Sequence, residues 1–190
     1  MRPAICLLFA GTLTLSASAH DADAPMQTFV RHVNEYVVLH RQLEGPLPPE
    51  AVTSDIGQLL RARLTLATAI RAARRDAKQG DIFSPAVARW FRVLVADALR
   101  DGAVLDMLAI IEDENTVDVP ARVNGDYPAG RSIAMMPPCL LRALPPLPPE
   151  LRYEFVGRDL ILWDVHAGLI VDFVSDAIPE HARRPVRGKR

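Results

Sequence analysis

The sequence predicts an α+β fold, in which an N-terminal array of three to four helices packs on a C-terminal three-stranded antiparallel meander. Apolar residues recur at helical spacing through the first 111 residues. Eight prolines then interrupt residues 115–150, and three short apolar runs joined by turns follow them. Because the apolar faces of helices and sheets can be buried only against other elements, we expect the helices and the strands to share one core.

The first two helices are predicted from their stripes and their ends. Pro25 is placed in the first turn of the first helix, and the second is expected from Asp55, a capping carboxylate, to Gly80, a C-terminal cap. The first stripe comprises Phe29, Val33, Tyr36, Val37 and Leu43. The inner stripe of the second comprises Ile56, Leu60, Leu64, Ala67, Ile70 and Ala77.

Two further helices follow. Ser84 and Pro85 are a capping residue and a proline suited to the first helical position, so we expect the third helix to begin there. Its buried face is predicted to contain Val87, Trp90, Phe91, Leu94 and Ala98. A short fourth helix is predicted over residues 104–111.

The meander is predicted after the proline-rich stretch, in which residues 139–143 form one helical turn. Tyr153 and Phe155 alternate with polar residues, which is typical of a half-buried strand. The runs at 160–165 and 169–174 are apolar on both faces except for Asp164 and Asp172. We therefore expect the helices to cover one face of the sheet and the proline-rich stretch to cover the other.

The first nineteen residues predict a cleavable export signal. Arg2 supplies a positive charge, residues 4–15 carry no charge, and Ala17-Ser18-Ala19 has the small-x-small pattern of a cleavage site. The uncharged run is too short to span a bilayer, so no transmembrane anchor is expected after cleavage. We predict a periplasmic or secreted protein with one domain over residues 20–179, an irregular stretch at 115–150, and a basic disordered tail at 180–190.

Composition and motifs favour a protein without catalytic activity. The net charge of −1 offers no global field for nucleic acid. With Cys6 removed in the signal, Cys139 is the one remaining cysteine, so no disulfide can form within the chain. The sequence lacks G-x-S-x-G, H-E-x-x-H, a phosphate-binding glycine loop, G-x-G-x-x-G and C-x-x-C. We therefore predict no enzyme, no catalytic residue and no cofactor.

Several reactive groups have a functional and a structural interpretation, and the structural one is favoured for each. Cys139 could be a thiolate with His166 as its base, or a small apolar side chain in the core. Asp164 could orient the imidazole of His166, or it could cap the turn that follows it. A basic cluster could bind phosphate or lipid headgroups, or complement a helix dipole. That cluster comprises Arg71, Arg74, Arg75 and Lys78.

Metal ligands are not predicted. His32 and His40 lie eight residues apart on the first helix, which is not the spacing of an i, i+4 ligand pair. His20 would carry a free amine after cleavage and could chelate copper with its imidazole, although this requires a second histidine. The acidic run at residues 112–114 is more typical of a solvated helix end.

Two blocks resemble sequences of exported bacterial proteins of unassigned function. They are GDIFSPAVARWFR at residues 80–92 and MPPCLLRALPPLPPELRYEFVGRDLILWDVHAGLIVDFV at residues 136–174. This resemblance implies export and fold but no activity. Residues 148–171 also resemble the C-terminal β-hairpin of periplasmic nickel/cobalt homeostasis proteins. The likeness is carried by Pro148, Pro149, Tyr153, Val156, Leu162, Gly168 and Ile170. Because these are turn and packing residues, it implies no metal ligand.

Two functions remain open. The first is an exported non-enzymatic module that binds a periplasmic protein or envelope component, with its surface in the irregular stretch. The alternative is a periplasmic metal-responsive or metal-buffering protein.

Export is directly testable. Mass spectrometry of the protein purified from its native envelope is expected to show a chain that begins at His20, because cleavage should follow Ala19. An intact Met1 or the added mass of a lipid would contradict this expectation.

Overall fold

A computed structural model describes residues 20–45, 55–100, 120–127 and 136–179 and confirms the α+β fold. The helices are α1 (His20–Glu44), α2 (Ile56–Ala73), α3 (Pro85–Ala98) and α4 (Pro138–Ala143). The strands are β1 (Leu151–Val156), β2 (Asp159–Asp164) and β3 (Leu169–Val174), which pair antiparallel in the order β1-β2-β3. The predicted signal, the helix at 104–111, the tail and much of the irregular stretch lie outside the described residues.

The main core lies between the helices and the inner face of the sheet. Phe29 of α1 contacts Phe91 of α3 edge to face, with 4.8 Å between the ring centroids, and stacks on Phe83 at 5.5 Å. Tyr153 of β1 lies 5.9 Å from Phe91 and joins this aromatic cluster to the sheet. Such ring pairs add roughly 0.5–1.5 kcal/mol each to the stabilisation from burial alone. The predicted stripes of α1 and α3 therefore meet the meander as expected.

Two predicted boundaries and one predicted face are wrong. Helix α1 begins before Pro25, which lies inside the helix rather than in its first turn. Helix α2 is capped by Asp55, as predicted, but ends at Ala73 rather than at Gly80. The N-terminal half of its predicted inner stripe faces solvent, and the buried residues lie in its second half. Ile56, Leu60 and Leu64 are 73%, 54% and 64% exposed, whereas Leu66, Ala67 and Ile70 are buried.

Helix α2 ends early because tertiary hydrogen bonds take over at Arg74. The Nδ2 of Asn124 donates to the Arg74 carbonyl at 2.8 Å, and the Arg74 side chain donates to Asn124 Oδ1 and to the Val171 carbonyl. Asn124 therefore satisfies the Arg74 carbonyl, which a longer helix would have paired internally, while the guanidinium joins α2 to β3. The helix end is thus fixed by residues 50 and 97 positions away.

The loop between α2 and α3 is held by a buried carboxylate of β3. Asp172 accepts hydrogen bonds from the backbone N–H groups of Gly80, Ile82 and Phe83, at 2.8 Å for the last two. Gly80 has φ +95, a conformation that glycine adopts without strain. A buried carboxylate is tolerated when its oxygens are paired in this way. Asp172 therefore joins the sheet to the helical layer.

The outer face of the sheet is covered, in the described part, by residues 120–127. Asn124 and Tyr127 donate backbone hydrogen bonds to Ile170 and Gly168 along the edge of β3. Tyr127 stacks on Trp163 at 4.6 Å, and the two rings pack against the small outer cluster of apolar side chains. Trp163 is half-buried, at a register shift in the pairing of β2 with β3. The predicted cover by the proline-rich stretch is thus confirmed for these residues.

Among the described residues, no helix is both long enough and apolar enough to cross a membrane.

A buried glutamate on β1 makes the stability of the fold depend on pH. Glu154 is 6% exposed, and burial raises its pKa to about 7, against the lowering effect of the Arg152 charge. In the unfolded chain the same carboxyl has a pKa of about 4.3. The unfolded form therefore ionises first as pH rises, and this group lowers the free energy of unfolding between about pH 4.5 and 7.

We predict that Glu154→Gln has almost no effect on stability at pH 4 and raises the free energy of unfolding by roughly 1–3 kcal/mol at pH 8. Urea unfolding of both proteins at each pH measures this difference. Glu35→Gln, which changes an exposed glutamate of α1, is the control and is expected to show no such gain. A gain for Glu154→Gln that is equal at both pH values would contradict the assignment.

Candidate functional site

The candidate site lies where the C-terminal half of α1 passes the end of β2. Tyr36, His40 and Glu44 follow one another at intervals of four residues, so they share one face of α1. Asp164 ends β2 and faces this helix. His166 lies two residues further on, in the turn that leads to β3. Residues about 120 positions apart in the sequence thereby come into hydrogen-bond contact.

Asp164 is fully buried, and each of its oxygens has a partner. Its Oδ2 accepts a hydrogen bond from the Tyr36 hydroxyl at 2.6 Å and lies 2.6 Å from Nδ1 of His40. Its Oδ1 accepts a hydrogen bond from the backbone N–H of Ala167 at 2.8 Å. Burial and the negative charge of Asp164 raise the pKa of Tyr36, so the phenol keeps its proton and acts as a donor.

A second carboxylate links the two imidazoles. Nε2 of His40 lies 3.1 Å from Oε2 of Glu44, and Nδ1 of His166 lies 2.7 Å from Oε1 of the same side chain. The two imidazole centroids are 5.4 Å apart. His40 is fully buried, whereas the side chains of Glu44 and His166 are 33% and 30% exposed. The network therefore runs from the core to the surface.

The charge of His40 is set by its two neighbours. Burial lowers the pKa of His40, but the hydrogen bonds and negative charges of Asp164 and Glu44 outweigh it and raise the pKa above its ordinary value. A protonated His40 donates from both ring nitrogens, one to each carboxylate. A cation bound between these groups would replace the proton on Nε2 and leave the bond from Nδ1 to Asp164 in place.

The turn after β2 determines where His166 points. Gly168 has φ +69, which suits glycine, and its N–H donates to the Asp164 carbonyl at 2.8 Å. Asp164 caps this turn through Ala167, so the predicted capping role is confirmed. A carboxylate that orients an imidazole is also present, but the imidazole is His40 rather than the neighbouring His166.

Three side chains in this network could hold a metal ion. A ring nitrogen of His40, a ring nitrogen of His166 and a carboxylate oxygen of Glu44 all lie within 4.8 Å of one another. Zinc bonds to nitrogen and oxygen of about 2.0–2.2 Å place tetrahedral ligand atoms roughly 3.3–3.5 Å apart. The separations of 2.7 and 3.1 Å join the two imidazoles to different oxygens of Glu44, so binding of one ion through a single oxygen requires the side chains to shift. Two imidazoles and one carboxylate form a recognised donor set for such ions.

This cluster was missed in the sequence for two different reasons. His40 and Glu44 have the i, i+4 spacing that places two ligands on one helix face, a signal that the spacing between His40 and His32 does not contain. The ring of His32 lies near the carbonyl of Ile82, with Nδ1 at 3.2 Å. His166 has no local signal that ties it to α1. The sequence predicts no metal ligand, whereas the structure brings together three side chains that could bind one metal ion.

The other predicted candidates take structural positions in the described part of the chain. His166 pairs with Glu44 rather than with Cys139, which is half-buried on α4 and packs against the main core. Arg71 donates to the Asn124 carbonyl and to Asp126, and Arg74 lies over the Tyr36 ring at 5.1 Å. These two arginines therefore fix α2 to its neighbours. The side chain of His20 and the acidic run at 112–114 lie outside the described residues.

Comparison with known proteins identifies no relative of this chain. No protein-family model, curated protein or solved structure matches the chain. The resemblances stated from the sequence stay predictions, and the function has to be argued from the geometry of the site.

Proposed function

We propose that this protein binds one divalent transition-metal ion outside the cytoplasm and acts as a metal-buffering or metal-responsive protein without turnover. The observation that carries the proposal is the convergence of His40, Glu44 and His166. Two of these ligands come from one face of α1 and the third from the turn after β2. The fold therefore holds the ligand set together without any disulfide.

The donor types select the class of ion. Imidazole nitrogen suits zinc, nickel, copper and ferrous iron, whereas magnesium and calcium prefer shells made of oxygen. Two imidazoles with one carboxylate therefore favour a transition metal. Three protein ligands also leave one position of a tetrahedral ion free, as in zinc sites that keep a bound water.

Asp164, itself hydrogen-bonded by Tyr36, orients the imidazole of His40. Histidine ligands in metal sites usually donate their second N–H to a carboxylate, which fixes the tautomer and the direction of the ring. Asp164 Oδ2 occupies this position relative to Nδ1 of His40, and Tyr36 donates to the same oxygen. Such outer partners typically contribute a factor of 10–100 to metal affinity.

A purely structural hydrogen-bond network is the competing explanation for these contacts. It accounts for the fully buried pair of His40 and Asp164. It also allows the partial exposure of Glu44 and His166, a hydrogen-bonded pair that contributes little to stability where it faces solvent. An ion arriving from solvent needs this access.

Metal titration tests the proposal. We predict that the purified protein binds one Zn²⁺, Ni²⁺ or Co²⁺ ion per chain, measured by competition with a chromophoric chelator, and does not bind Mg²⁺. His166→Ala is expected to weaken binding at least 100-fold because it removes one of three ligands. Asp164→Asn is expected to weaken it by about 10–100-fold, since the ligand set stays but its orienting carboxylate is lost.

His32→Ala is the matched control, because it removes a histidine of the same helix outside the cluster and should leave the affinity unchanged. Circular dichroism checks that each variant is folded. If the wild-type protein binds none of these ions, or if His166→Ala binds as well as the wild type, the network is structural only.

Binding of a periplasmic protein or envelope component remains the second candidate function. The observation that favours it is a row of exposed apolar side chains on α1, at Met26, Val30 and Val38, which line a shallow groove. Such patches are typical of surfaces that contact another molecule. The irregular stretch, where the sequence predicts this surface, lies largely outside the described residues.

We predict for this second function that Val30→Glu abolishes cross-linking of a reproducible envelope component in the native envelope, because a charge is costly to bury in an apolar contact. The melting temperature should stay nearly unchanged. Val93→Glu adds the same charge at an exposed valine of α3 and serves as the control. Equal cross-linking by both variants would remove the α1 groove from consideration.

A further inference from the structure

Glu150 carries an unexplained buried oxygen beside the candidate metal site. It lies immediately before β1, and its carbonyl accepts a hydrogen bond from the backbone N–H of Val165 at 3.0 Å. Val165 stands between Asp164 and His166. The backbone of Glu150 is therefore fixed next to the segment that supplies one ligand and one supporting carboxylate.

The two oxygens of Glu150 have different surroundings. Oε1 accepts a hydrogen bond from Nε of Arg41 at 2.6 Å, while Oε2 is buried and has no hydrogen-bond partner. Only 7% of the Glu150 side chain is exposed. A buried acceptor without a partner costs about 1–3 kcal/mol, and more when the group is charged. Such an atom in a folded protein calls for a specific partner, usually a water molecule or an ion.

Glu150 is ionised and in electrostatic contact with the site. Burial raises its pKa, but the hydrogen bond from Arg41, a hydrogen bond from the backbone N–H of Glu150 itself and the charges of Arg41 and His40 lower it below the ordinary value. Arg41 follows His40 directly on α1. The unpartnered oxygen therefore belongs to an anionic side chain whose charge interacts with that of His40.

The distances separate Glu150 from the ligands themselves. The set of donors that lie within 4.8 Å of one another comprises His40, Glu44 and His166, without Glu150. A carboxylate just beyond a metal ion can reach it through a coordinated water, which has two protons to donate. An open fourth position on the ion supplies such a water.

We infer that Glu150 Oε2 accepts a hydrogen bond from a water molecule bound to the metal at the position that the three protein ligands leave open. The inference rests on the proposed metal binding and deepens it, because it makes one coordination position exchangeable. Glu150 is then a positioning residue rather than a ligand. An oxygen, nitrogen or sulfur ligand of another molecule can replace this water and take the metal, as metal buffering requires.

Co²⁺ is the probe, because its visible spectrum reports its ligands. The Co²⁺-loaded protein should change its spectrum when azide is added, since azide replaces the water. Glu150→Met should still bind Co²⁺ but about 10–100-fold more weakly, the usual effect of losing an outer hydrogen-bond partner. Arg41→Met is the comparison variant: it breaks the same ion pair but keeps Oε2, and because it removes a group that keeps Glu150 ionised it should weaken binding, though less than Glu150→Met does.

If Glu150→Met folds poorly, Glu150→Gln takes its place and is expected to weaken binding less, because its amide oxygen still accepts a hydrogen bond. Wild-type affinity in folded Glu150→Met would overturn this inference and leave the metal site intact. A spectrum that does not respond to azide would do the same, because it indicates a closed site. Failure of the wild-type protein to bind Co²⁺ would overturn the metal site itself.

Discussion

The buried carboxylate of Asp164 is the group on which the described site depends. It connects α1, the end of β2 and the turn that follows, through Tyr36, His40 and Ala167. A charge without water is tolerated only if its lone pairs are satisfied, and here each oxygen has a donor. Removing the carboxylate would leave a buried hydroxyl and a buried imidazole without their partner. The position of α1 against the sheet and the direction of the His40 ring are thus set by the same group.

Asp164 and Asp172 interrupt two otherwise apolar strands, and both face the helical layer. Asp172 binds backbone N–H groups of the loop before α3, so it fixes a chain path and has no titratable partner among these bonds. Asp164 binds side chains, one of which has a second nitrogen that remains available to a further group. Two fully buried aspartates of neighbouring strands thus differ in role, because Asp172 binds only backbone groups whereas Asp164 binds the side chains of the candidate site.

Burial is graded across the candidate site in a way that suits metal binding. Asp164 and His40 are fully buried and hold their geometry by short hydrogen bonds, while Glu44 and His166 reach solvent. An ion that bound here would meet Glu44 and His166 at the surface, without opening of the core. Glu150, buried with one oxygen unpaired, lies on the strand side of this arrangement.

The alternation predicted for β1 is wrong at Glu154, which is buried, because tertiary packing covers both faces of that strand. The sequence by itself did determine other local features: the Asp55 cap, the start of α3 at Pro85 and the turns of the meander. These follow from hydrogen bonds and side-chain periodicity within a few residues. It did not determine the end of α2, because the Asn124 side chain takes the Arg74 carbonyl that a longer helix would pair internally, and it did not determine which residues of the first half of α2 are buried. The candidate site was decided by tertiary structure alone. His40 and Glu44 share a helix face that the sequence shows, but His166 meets them only because β2 ends against α1, a contact between residues more than 120 positions apart.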